Sequence, residues 1–252
     1  MKKSLWTIVF MIMMTVVFIS VLAFINETTK DMIAQNLQLE KYKSILYAFD
    51  IFPQGLSERD YDLSATTAEI QWQETQMLET INRNMKTVKL AVPEAMRSLL
   101  KQSFLAVSDS VEIYVRLEGD SAMAYGFQMK GKGLWGTITG FGVISSDLEK
   151  MIGIDFTDQV ETPGLGARIL ENEFKQYFRN LDLSGFHEQT SDKKPIIMVN
   201  QKKSSNLEHS TNSLQAITGA TQTCDGVLKM VNIDLKFYIE LIKNNQQQLA
   251  IR

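Results

Sequence analysis

Ser110-Val111-Glu112-Ile113-Tyr114-Val115-Arg116-Leu117 alternates apolar and polar side chains, the two-residue period of a half-buried strand. Gly119-Asp120 reads as a turn after it, and Ala122–Lys130 and Thr137–Ile144 read as two further strands. Three strands within about thirty-five residues predict an antiparallel meander. Beyond them, Leu148–Ile154 predicts a short helix entering a strand, Leu170–Phe178 a helix and Pro195–Asn200 a strand. Val227, Val231, Leu235, Tyr238 and Ile242 recur at three- and four-residue spacing, so residues 224–243 read as a C-terminal helix. The polar tail Asn244–Gln248 reads as frayed. Upstream, Met32, Leu37, Leu39, Tyr42, Ile45, Leu46 and Phe49 give residues 27–49 a helical pattern, broken at Asp50–Gly55 by Pro53. Residues 65–90 fit helix or extended chain equally, and Pro93 opens a short helical stretch, Glu94–Leu105. Strand runs bracketed by helices predict the α+β class.

Ser4 to Asn26 carries no charge and is long enough for one helix across a hydrocarbon core of roughly 30 Å. Lys2 and Lys3 precede it and Glu27 follows, so the N-terminus is expected in the cytoplasm and the body outside it. Trp6 suits the membrane interface. A cleaved signal peptide is the rival reading, with Val21 and Ala23 at small-residue positions. The anchor is the better account, because Phe24 and Ile25 continue the apolar run past that point.

The net charge of −3 includes Lys2 and Lys3, so the body is more acidic still and has no cationic stripe for nucleic acid. A single cysteine, Cys224, excludes an intramolecular disulfide and a dithiol redox couple. His187 and His209 have no metal-ligand spacing and read as ordinary loop residues.

Three glycine-rich segments remain: Gly131-Lys132-Gly133-Leu134-Trp135-Gly136, Glu161-Thr162-Pro163-Gly164-Leu165-Gly166 and Thr218-Gly219-Ala220-Thr221-Gln222-Thr223. Each has a plain reading: a hairpin turn, a Pro-Gly turn before a helix, and Thr218 as an N-cap. Trp135 reads evenly as core or as site. The third segment also makes a phosphate seat. Small residues and hydroxyls precede a helix whose first N–H groups lack partners and whose dipole favours negative charge.

In order and spacing the three segments resemble the FMN-binding domain family that includes the NqrC components of sodium-translocating NADH:quinone oxidoreductases and the RnfG components of Rnf electron-transport complexes. The Gly-Lys-Gly-Leu-Trp segment resembles the NqrC branch more. The resemblance is close over about residues 110–240 and loose over 1–60. Two positions depart from the family pattern: Gln215, where an acidic residue is common, and Gln159, where a histidine is common. The resemblance implies FMN joined covalently through its phosphate to Thr221, with Thr218, Gly219, Ala220 and Thr223 around the phosphate. It implies Leu134 and Trp135 as a wall for the ring, and Thr162, Gly164, Leu165 and Gly166 as a turn at the ring's edge. It further implies an anchor at residues 1–26, a helical or mixed segment at 27–109 and an FMN-binding domain at 110–252, with an antiparallel or mixed sheet and flanking helices. The expected role is an electron carrier in a membrane NADH:quinone oxidoreductase, matured by a flavin transferase, with the substrate sites on other subunits. The location implied is the cytoplasmic membrane, single-pass, with the flavin domain outside. An RnfG-like or stand-alone carrier is the first alternative. A membrane-anchored binding module without cofactor, in which the segments are only turns, is the second.

Overall fold

The computed structural model describes residues 2–52, 74–102, 105, 109–119, 121–187, 195–199 and 212–249. Pro53, Gly55, Trp72, Asp120, Asn200 and His209, which entered the sequence reading, lie outside them. Residues 1–40 and 41–252 form two compact units.

The apolar run and the helical pattern behind it are one helix, α1 (Lys2–Ala48). It is long and apolar enough to cross a membrane, and none of its most apolar window is buried against protein. The hydroxyls of Thr15 and Ser20 donate to the carbonyls of Met11 and Val16, both at 2.8 Å, so the hydroxyls inside this run are satisfied by their own helix, as lipid requires.

The second unit is built on a six-stranded antiparallel meander in chain order. Its strands are β1 (Met85–Ala91), β2 (Ser110–Glu118), β3 (Ser121–Lys132), β4 (Thr137–Ser145), β5 (Lys150–Asp158) and β6 (Leu181–Asp182). A separate parallel pair joins β7 (Ile197–Val199) to β8 (Ser213–Gln215). The helices of this unit are α2 (Glu74–Asn84), α3 (Arg97–Gln102), α4 (Asn172–Gln176), α5 (Thr221–Asn244) and α6 (Gln246–Leu249). The α+β class with an antiparallel sheet and flanking helices is therefore as expected.

Alternation sorts the sheet into two faces. Ile113, Val115, Phe127, Met129, Ile144 and Ile154 pack with Val227, Val231 and Leu235 of α5 in one core. There Phe127 stacks on Tyr238 with ring centroids 4.0 Å apart. The other face receives the last turns of α1, where Ile45, Leu46 and Phe49 are fully buried. Two glycines permit that approach. A Cβ on Gly126 would lie 2.5 Å from the Phe49 ring, and one on Gly153 would lie 2.6 Å from the Ala48 carbonyl oxygen. Beside them the buried Lys175 pairs with the buried Asp155 at 3.2 Å and sits 3.9 Å from the centre of the Tyr47 ring, whose hydroxyl bonds Asn172.

Several local expectations change. Leu148–Ile154 contains no helix. Leu148 adopts φ 64° in a tight turn, the Asp147 carboxylate takes the Ser145 hydroxyl and the Glu149 N–H, and β5 starts at Lys150. The turn's side-chain hydrogen bonds outweigh the helical spacing of three apolar residues. Leu170–Phe178 is split, because extended Glu171 (ψ 141°) separates a 3-10 turn, Gly166–Leu170, from α4. The C-terminal helix begins at Thr221, three residues earlier than its apolar spacing indicates. The polar tail is held, since α6 buries Leu249 completely. Residues 74–84 are helical and 85–91 form the edge strand β1.

Candidate functional site

The three glycine segments lie far apart in sequence, and the fold brings them together through one buried carboxylate. Glu161 is 5% exposed. Its Oε1 accepts the main-chain N–H of Trp135 at 3.0 Å, and its Oε2 accepts the hydroxyl of Thr223 in the first turn of α5. Its own N–H donates to Gln159 Oε1. The second segment thus holds the first by its backbone and the third by a side chain.

Glycine makes this junction possible by size. A Cβ on Gly133 would fall 2.4 Å from Glu161 Oε1, and one on Gly166 would fall 2.5 Å from Thr223 Oγ1 and 2.9 Å from Glu161 Cβ. Gly226, one turn into α5, sets the helix against the first segment, where a Cβ would meet the Lys132 carbonyl oxygen at 2.3 Å. Two other glycines serve conformation: Gly164 (φ 74°) and Gly219 (φ 82°) occupy the left-handed region that side chains disfavour. Gly219 lies against Leu165, whose Cδ2 would be 3.2 Å from an added Cβ, so the second and third segments also touch here.

The expected site residues divide by direction. Thr218, Gly219 and Thr221 are at least partly open to solvent, as are Leu134, Trp135, Thr162, Gly164 and Leu165. Trp135 is 68% exposed, which removes it from the core, and its indole N–H donates to Thr162 Oγ1 at 3.1 Å. Ala220, Thr223 and Gly166 face inward: Ala220 is 6% exposed, Thr223 spends its hydroxyl on Glu161, and Gly166 is a packing glycine. Thr218 is not the N-cap. Ala220 holds that position (φ −122°, ψ 37°) and supplies no side-chain bond.

The residues that sequence reading underweighted are Glu161, read as flanking a motif, and Val160. Val160 is 60% exposed and adjoins Leu134 and Trp135 through Gly136, where a Cβ would fall 2.2 Å from Val160 Cγ2. The hint for Glu161 was an acidic residue directly before a Pro-Gly turn. Its burial depends on contacts with two distant segments.

The helix start is electrostatically open. Thr221 is the first residue of a 24-residue helix that has no acidic side chain in its first turn. The amides ahead of the first helical bond, Cys224 N–H to Ala220 O at 3.0 Å, belong to the group a helix cannot satisfy itself. An anion at Thr221 would meet the positive end of the dipole. Cys224 is no thiolate: burial pushes its thiol up, and its sulfur accepts the Ile217 N–H at 3.3 Å. Gln215, in β8, takes the hydroxyl of Tyr177, whose ionisation burial also raises. His187 is an ordinary loop residue, with Nε2 2.8 Å from the Leu148 carbonyl oxygen. Among the described residues no cluster of His, Cys, Asp and Glu can hold a metal.

A phosphate ester therefore fits at Thr221, and a planar apolar ring fits the exposed shelf of Leu134, Trp135, Val160 and Leu165. Comparison with known proteins agrees with this placement. Residues 133–236, from the first glycine segment into α5, match the FMN-binding domain family. The NqrC component of the Na(+)-translocating NADH-quinone reductase of Pasteurella multocida is 35% identical over 109 residues, 43% of this chain and 37% of that one. The RnfG-type component of the proton-translocating ferredoxin:NAD(+) oxidoreductase complex of Clostridium ljungdahlii is 30% identical over 140 residues, 55% of this chain and 66% of that one. The crystal structure of the NqrC protein from Parabacteroides distasonis superposes with TM-score 0.58 at 20% identity, covering 84% of this chain and 96% of that one, and so shares the fold. The matched stretch spans 37–39% of the length of four NqrC relatives. The chain resembles the FMN-binding components of these two kinds of complex.

Proposed function

We propose that the chain is a membrane-anchored electron-relay protein that carries FMN through a phosphoester to Thr221. The observation that carries the reading is the exposed Thr221 hydroxyl group's position, first in α5, at the convergence of the three glycine segments. The first-turn amides offset the charge left on an esterified phosphate. Gly219 lets the backbone come close, and Thr218 stands beside it as a second hydroxyl. Leu134, Trp135, Val160 and Leu165 give an apolar seat, and Glu161 fixes the backbone of Trp135 relative to α5. When bound, the flavin supplies the redox chemistry.

The exposed seat suits a carrier. A ring resting on an open shelf can be approached by a neighbouring redox protein, whereas a substrate site would need an enclosed cleft with acid and base groups. Flavin transferase attaches the cofactor, and the other subunits of a quinone reductase exchange electrons with it. The positive-inside rule puts Lys2 and Lys3 in the cytoplasm and the flavin domain outside the cytoplasmic membrane.

Co-expression with an active flavin transferase tests the reading. The expected product is yellow and heavier by one FMN less one water, and Thr221→Ala is colourless with unmodified mass. Unmodified wild-type protein beside a second substrate that is modified would leave a cofactor-free binding module as the account. A ferredoxin-linked complex is the second reading, favoured by the larger share of the Clostridium relative that the match covers, 66% against 37% of the Pasteurella one. Identification of the proteins that copurify with the tagged chain separates the two.

A further inference from the structure

The meander has a split in it. The pairing of β2 with β3 runs from Glu118 and Ser121 to Ile113 and Phe127 and then ends. Both strands continue: β2 stays on β1 back to Ser110, and β3 stays on β4 out to Lys132. The residues that would pair next, Glu112 with Gln128 and Val111 with Met129, are not joined. In the same stretch the Lys130 N–H donates to the buried Asp234 of α5 at 2.9 Å, a side chain doing the work of a strand. A cavity of about 360 Å³ opens at this split.

Its wall contains an unsatisfied group. Ser44 is 1% exposed, lines the cavity, and has no hydrogen-bond partner for its hydroxyl. Helical Ser and Thr ordinarily return that bond to the preceding turn, as Thr15 and Ser20 do in the same helix. A buried hydroxyl left open is costly, so it marks a place for a polar atom. The charge around the cavity leaves one cation over. Lys89 pairs with Glu112 at 3.6 Å, while no carboxylate among the described residues pairs with Lys41, which stands 5.9 Å from the centre of the Tyr114 ring. Tyr114 and Phe141 meet edge to face, centroids 5.4 Å apart, and both line the space.

We propose that this split binds a small aromatic anion of the arene-carboxylate class. The ring lies against Tyr114 and Phe141, Ser44 donates its hydroxyl to the carboxylate, and Lys41 neutralises it. The volume is at the small end for ligand cavities and suits one or two fused rings. The site is separate from the glycine segments and does not depend on flavin.

The test uses the full chain in lipid nanodiscs, hydrogen–deuterium exchange as the readout, and naphthoate as the probe, with empty nanodiscs as the partition control. Saturable slowing of exchange is expected in peptides covering residues 110–117 and 124–132, and not in those covering 133–136 or 161–166. Lys41→Gln should weaken the apparent affinity about threefold at low salt, the size of an exposed charge contact. Ser44→Ala should weaken it about five- to tenfold, the size of a hydrogen bond to a charged group. Ser44→Leu, which fills the space, should abolish protection, and Ser44→Ala decides if that variant does not fold. Neutral naphthalenemethanol should protect less than naphthoate. Absence of saturable protection in the wild type, equal protection in Ser44→Ala and wild type, or equal binding of the neutral alcohol would overturn the proposal.

Discussion

Asp155 and Glu161 are both buried carboxylates, only a few residues apart, and the protein handles them in opposite ways. Asp155 faces the Lys175 ammonium at 3.2 Å with both side chains 3% exposed, on the sheet face that receives the end of α1. Glu161 has no cationic partner among the described residues and binds two neutral donors, the Trp135 N–H and the Thr223 hydroxyl. The first arrangement is an ion pair reinforced by the Tyr47 ring, and it fixes helix to sheet. The second ties loop to loop. It leaves Trp135, Thr221 and Leu165 facing solvent, which is costly for a core and useful for a site. Stability is concentrated at one end of β5 and accessibility at the other.

Breaking the ion pair gives the largest expected effect. Lys175→Met leaves Asp155 buried without its cation and should destabilise the fold by about 3–5 kcal/mol, read from urea unfolding. Replacing both partners with apolar residues should restore most of that loss. Flavin loading of whatever protein folds should be unchanged, and a specific loss of loading in a folded Lys175→Met protein would erase the distinction between the two ends.

Gly166→Ala comes next. The new methyl group meets Thr223 Oγ1 and Glu161, so about 1–3 kcal/mol of overpacking is expected. Here loading should fall together with stability, because the strain is applied to the junction itself. Trp135→Ala should be nearly silent in stability, within about 0.5 kcal/mol, since the ring is exposed. It should still shift the absorption spectrum of bound flavin, and a large loss of stability would show that Trp135 belongs to the core after all.

Cys224 gives the smallest effect. Burial raises its pKa, so the charged form is disfavoured in the folded state. Its contribution to stability is complete below the unfolded thiol pKa and is lost as pH rises through the raised folded value. Iodoacetamide at mildly alkaline pH should therefore modify urea-unfolded protein quickly and folded protein slowly. Equal rates would contradict the packing of the first turn of α5.

The sheet was readable wherever one face is buried. Val111 to Leu117 alternates because one face meets α5 and the other holds Glu112, Tyr114 and Arg116. β1 was not readable, since an edge strand carrying Lys86 and Lys89 shows only Val88 and Leu90 to the core. The start of α5 was misplaced because its first turn is polar and periodicity begins only at Val227. The three glycine segments were legible as a set through resemblance, with Thr221 at their centre. Their joint was not. Glu161 looks like any surface carboxylate until the fold brings Gly133 and Thr223 against it, and that contact spans 62 residues on one side and 26 on the other.

The most direct measurement is tandem mass spectrometry of the tryptic peptide Ser204–Lys229 from protein co-expressed with flavin transferase. This peptide contains Thr218, Thr221 and Thr223 together. The account predicts one FMN phosphoester, on Thr221, since Thr221 alone is both exposed and first in the helix. Modification of Thr218 or Thr223, or none under conditions that modify another substrate, would contradict it.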